Sequence, residues 1–83
     1  MIVSQQRLIA KGRMSELEER LRELEALIQG DVDSLTYSLF VQVHGVAGLK
    51  MAQARAEFRQ LCEHHEEHVR LTGELASLRE TWG

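Results

Sequence analysis

The residues with the widest chemical reach in this chain stand together as Cys62-Glu63-His64-His65-Glu66-Glu67-His68. Thiolate, imidazole and carboxylate are the groups that ligate transition metals or exchange a proton near neutral pH. On a helix, Cys62 and His65 lie one turn apart, as do His64 and His68, so each pair can chelate. Cys62 and His68 point about 120° apart, so a single helix cannot close a tetrahedron around zinc. Cys62, His64, His65 and His68 are therefore metal-ligand candidates only if another chain completes the set, and no metal or other cofactor is expected. The zinc-protease order is absent, because His65 and not Glu follows His64. Proton sensing is the other use of this cluster. Burial among leucines would favour neutral imidazole while Glu63, Glu66 and Glu67 would favour imidazolium, so the direction of any response stays open.

Catalysis has little to stand on. Gly45-Val-Ala-Gly48 lacks the Lys and Ser/Thr of a phosphate loop and the spacing of a dinucleotide fingerprint. Cys62 and His65 resemble a nucleophile and base only in type, since a thin helical rod offers neither cleft nor oxyanion hole. No catalytic or cofactor-binding residue is expected, and the chain is not read as an enzyme.

Eighty-three residues, 43% hydrophobic and 28% charged with four aromatics, supply little core to the elements that would carry these groups. Chains this small usually gain stability from oligomerisation or a partner. The net charge of −3 opposes nucleic-acid binding. That excess lies in residues 57–83, with six acidic and three basic groups. No run approaches the 18 or so apolar residues of a membrane span, and the segment from Met1 to Arg7 lacks the pattern of a signal peptide. A cytoplasmic protein without membrane contact is expected, and the lone Cys62 agrees with a reducing compartment.

The fold class read from the pattern is all-α, as one unit over residues 1–83: an antiparallel helical hairpin or a three-helix coiled-coil-like unit, oligomeric. Met14, Leu17, Leu21, Leu24 and Ile28 step by three and four, a heptad seam set among Glu and Arg. Val3 and Ala10 extend it backward, which predicts a helix over about 4–29 with a weak point at Gly12. Gly30 suits a helix stop and Asp31 and Asp33 suit caps, so a turn is predicted at 30–33. Leu61, His64, His68, Leu71, Leu75, Leu78 and Trp82 form a second seam within a helical segment over 34–82. Residues 35–44 also alternate as a strand would; helix is favoured over a strand pair swapped between two chains. Gly45 and Gly48 fit either a break at 45–48 or a close helix contact. A helix of about 39 Å and one of about 75 Å would not match in length without such a break.

Flanking charges bear on how the seams meet. Arg13 and Arg20 occupy g positions in the first helix and Glu67 and Glu74 in the last, while Glu18 and Glu25 lie at e against His65, Thr72 and Arg79. An antiparallel pair sets g against g and e against e, which suits both flanks, although a parallel homodimer of the first helix is also allowed. Residues expected at an oligomer or partner interface are Met14, Leu17, Leu21, Leu24, Ile28, Leu39, Phe40, Val43, Val46, Phe58, Leu61, Leu71, Leu75, Leu78 and Trp82. Trp82 is expected to pack near Met14 or Ala10. The function predicted is a non-enzymatic helical interaction protein, a small adaptor, co-chaperone or inhibitor of bacterial or phage type. Eight Arg against two Lys suits a GC-rich genome of that kind. A metal- or pH-responsive regulator using the Cys62–His68 cluster and a pure oligomerisation module are the alternatives.

Overall fold

In the computed structural model, which describes residues 2–83, the chain is all-α: α1 (Ile2–Ser38), α2 (Val41–His44) and α3 (Met51–Trp82). There is no strand among the described residues, so 35–44 does not form the strand that a swapped pair would need. Arg13 of α1 meets Glu74 of α3, Arg20 meets Glu67, Asp31 meets His64 and Ser38 meets Glu57. Rising numbers on α1 thus pair with falling numbers on α3. The pair makes a rod of 66 × 15 × 14 Å. Carrying this register to the chain end sets Trp82, half-buried, level with Met14, one turn from buried Ala10. The first two turns of α1 extend past the end of α3, and Val3, Leu8 and Ile9 there are exposed.

The turn predicted at 30–33 is not formed; α1 runs through it for 37 residues to Ser38. The stop and cap signals at Gly30, Asp31 and Asp33 are outweighed by partners on both sides of the helix. Asp31 turns inward and accepts from His64, while the side-chain amide of Gln29 donates to Asp33 at 3.0 Å. Gly30 has open space around it, so it costs α1 only its intrinsic penalty, about 1 kcal/mol. Gly12 is likewise interior to α1, and no weak point interrupts the helix there.

The reversal comes later, between Ser38 and Met51, and it leaves arms of 37 and 32 residues in place of the unequal rods. Ser38 anchors it. This 2%-exposed residue donates from Oγ to Glu57 at 2.5 Å, and its carbonyl accepts from the Lys50 N–H at 3.2 Å. The two sides of the loop are thereby tied where the helices part. Gly45 and Gly48 form a break and not a helix contact. Gly45 has φ 72°, in the left-handed region that side chains disfavour, and its N–H caps the single turn of α2 by donating to the Val41 carbonyl at 2.7 Å. A Cβ on Gly48 would lie 2.2 Å from the His44 carbonyl oxygen.

The core is narrow. Leu17 and Leu24 of α1 pack with Leu71 and Leu75 of α3, and Met14, Leu21 and Leu78 close around them. All seven lie in the half of the rod away from the loop, where the seams are apolar at both heptad positions.

Candidate functional site

Beyond Leu24 the seam changes character. Past it, the inward positions of α1 alternate between apolar Ile28 and Leu35 and polar Asp31 and Ser38, the polar ones matched on α3 by His64 and Glu57, so every second layer of the loop half is polar. Asp31 and His64 are mostly buried, with a 2.6 Å contact between Oδ2 and Nδ1. An ionised carboxylate only accepts, so Nδ1–H of His64 is the donor. Such polar layers fix register, because a slip by one heptad would face Asp31 with Leu71 in one direction and with Glu57 in the other.

The histidine cluster is divided by this arrangement. His64 points inward to Asp31; His68 reaches Glu25 at 3.5 Å, a long contact; His65 is exposed and Cys62 half-buried. Among the described residues, no three His, Cys, Asp or Glu side chains converge in a way that would hold a metal ion.

The two flanks of the rod differ. On one, Arg13 donates to both carboxylate oxygens of Glu74 at 3.1 and 3.3 Å, and Arg20 to both of Glu67 at 2.8 and 3.0 Å. These are the g-position residues of the two seams. Each arginine also reaches along its own helix, to Glu16 and Glu23. On the other flank, Arg79 donates to Glu18 at 3.0 Å, but only in the half away from the loop. Toward the loop the same flank turns apolar, with Val32, Leu39, Met51 and Phe58 exposed on it and Val69 one helical position behind.

The paired carboxyls of Glu67 and Glu74 are held below the ordinary carboxylate range, first by the guanidinium hydrogen bonds of Arg20 and Arg13 and then by the charges of those arginines and Arg70, with His64 adding to the effect on Glu67. A carboxyl whose pKa is lower in the folded chain contributes stability that is complete above its unfolded value, about 4.3, and is lost as pH falls through the folded value. The stability difference between the parent chain and a Glu67→Gln/Glu74→Gln variant should therefore narrow below about pH 4.3. Urea unfolding across pH reads this, and a difference that stays constant into strong acid would contradict it.

The residues expected at an interface fall into two groups. Leu17, Leu24, Leu71 and Leu75 are buried within the chain, with Met14, Leu21 and Leu78 packed against them and Ile28, Leu61 and Trp82 half-buried. Leu39, Phe40, Val43, Val46 and Phe58 are exposed. With them stand Tyr37, Val41, Val32, Met51 and Val69, which the heptad reading left out. Extending the first heptad past Ile28 places Val32 and Leu39 at e, on the flank where Met51 and Phe58 hold e positions of α3, with Leu39 opposite Phe58 and Val32 opposite His65. At the loop, Tyr37 and His44 meet edge to face with centroids 5.0 Å apart, and His44 Nε2–H donates to the Tyr37 carbonyl at 3.0 Å.

Comparison with protein-family models, with curated proteins and with solved structures finds no match for this chain. Among the described residues no helix is long and apolar enough to cross a membrane.

Proposed function

We propose that this chain is a non-enzymatic helical interaction protein, an antiparallel coiled-coil-like hairpin that works in a homo-oligomer and presents its loop end to a protein partner. The observation that carries this reading is the concentration of exposed apolar side chains at one end of the rod. Tyr37, Leu39, Phe40, Val41, Val43 and Val46 all lie within ten residues of one another and are all exposed. Scattered surface apolar residues need no explanation, but a contiguous set implies a contact. An adaptor, co-chaperone or inhibitor of bacterial or phage type, acting in the cytoplasm, is the form of this function that the composition and the single thiol of Cys62 fit.

The test is a photo-crosslinking amino acid at Phe40 in the native host. A defined heterologous adduct that disappears with Val43→Glu, while helicity is unchanged, is the expected result. Adducts only between copies of the chain would favour a pure oligomerisation module instead.

A further inference from the structure

Resting on that reading, and naming the oligomer it invokes, we infer that a second copy of this chain docks on the apolar flank formed by Val32, Leu39, Met51, Phe58 and Val69, in a two-fold arrangement that leaves the loop end free. Three observations meet on this surface. The first is where the chain has put its hydrophobic residues. Away from the loop the seam between α1 and α3 is leucine and this flank is charged, with Glu18 and Arg79 paired across it. Toward the loop the pattern inverts. Asp31–His64 and Ser38–Glu57 enter the seam, and the apolar side chains move out to the flank. Half of the rod thus carries apolar residues that its own two helices do not cover.

The second observation is one-sidedness. The opposite flank is closed by the forked Arg13–Glu74 and Arg20–Glu67 pairs. Its next g position, Leu27, stands alone as an exposed apolar residue among Ser34, Gln53 and Gln60. On α3 Met51, Phe58 and Val69 span about 27 Å of this flank at the helical rise, with the exposed His65 between the last two, and Val32 and Leu39 widen it onto α1. A surface of that outline suits two helices of another copy, giving a four-helix bundle.

The third is area. The chain exposes 6201 Å², whereas a folded globular chain of 9.5 kDa exposes about 5,000 Å². The difference exceeds the roughly 800 Å² that each partner buries in a standard stable interface. Pairing with one further copy over an interface of that size removes about two-thirds of this excess. A two-fold axis makes this possible with one patch, since an isologous interface uses the same residues on both sides.

Sedimentation equilibrium of the full chain at micromolar concentration is the test. A species of twice the 9.5 kDa chain mass is expected, and Phe58→Glu/Val69→Glu should convert it to monomer. Val43→Glu and Leu27→Glu, at the loop and on the opposite flank, should leave the dimer intact. A helical monomer of the parent chain would overturn the inference, as would a dimer indifferent to the Phe58/Val69 pair or one abolished by Leu27→Glu. Should the double variant lose its helical signal, Val69→Ser alone decides: a dimer dissociation constant raised by roughly tenfold or more is expected, and an unchanged constant refutes the flank. The loop reading fails separately. A Phe58-dependent dimer without a loop adduct would remove the partner and keep the dimer, and a loop adduct on a monomeric chain would do the reverse.

Discussion

Replacing Leu24 with alanine is expected to lower the unfolding free energy by about 2–5 kcal/mol, the range for deleting a fully enclosed leucine. Leu24 is 0% exposed and sits in the cluster with Leu17, Leu71 and Leu75. Truncation there removes apolar burial and leaves a void that a two-helix core has few side chains to refill. Domains of this size have roughly 5–10 kcal/mol in total, so the loss is a large part of the whole. Leu27 is the internal control, three residues along the same helix and 41% exposed. Leu27→Ala should change stability by less than about 0.5 kcal/mol, as surface substitutions do. Urea unfolding at one fixed chain concentration measures both, since any self-association makes apparent stability depend on concentration. Equal losses at the two positions would mean that the heptad face is misassigned.

That contrast also marks what was legible in the sequence. The three-four spacing of Met14 to Ile28 and of Leu61 to Trp82 implies two helices, and both are present. Their apolar members at Leu17, Leu24, Leu71 and Leu75 are the buried ones. Arg13, Arg20, Glu67 and Glu74 could be placed on flanks because heptad position follows directly from spacing. The boundary at 30–33 was not legible. Gly30-Asp-Val-Asp33 carries a strong local stop signal, whereas what continues the helix is Asp31 against His64 and Ser38 against Glu57, partners 33 and 19 residues away. A polar residue in a seam reads as the end of the seam unless its polar partner is known. The same blindness hid the apolar flank. Val32 lies within the predicted turn and Leu39 beyond it, so a seam that stops at Ile28 does not reveal that both share a flank with Phe58.

The glycines make a sharper test, because residues of one type should respond in opposite directions. Gly30 lies within α1 with open space around it, so Gly30→Ala adds a side chain without a clash. It also removes freedom from the unfolded chain and supplies a better helix former, worth about 1 kcal/mol of added stability. Gly45, at φ 72° and ψ 162°, holds a conformation that is essentially glycine's alone, and alanine would adopt it only with strain of about 1–3 kcal/mol. At Gly48 the obstacle is contact and not φ, because the new Cβ would meet the His44 carbonyl oxygen, a backbone atom that cannot swing aside. Relief would require α2 to shift away from the loop, disturbing the Gly48 N–H to Gly45 carbonyl bond at 3.2 Å. Gly48→Ala should therefore destabilise by an amount similar to Gly45→Ala, or more. Thermal unfolding of the three variants, followed by far-UV circular dichroism, would separate them. If α1 instead ended at Gly30, that glycine would occupy a left-handed cap and Gly30→Ala would destabilise like Gly45→Ala. A rise in stability at Gly30 with losses at Gly45 and Gly48 is the outcome that places the reversal at 39–50 and makes α1 one continuous helix through Asp31.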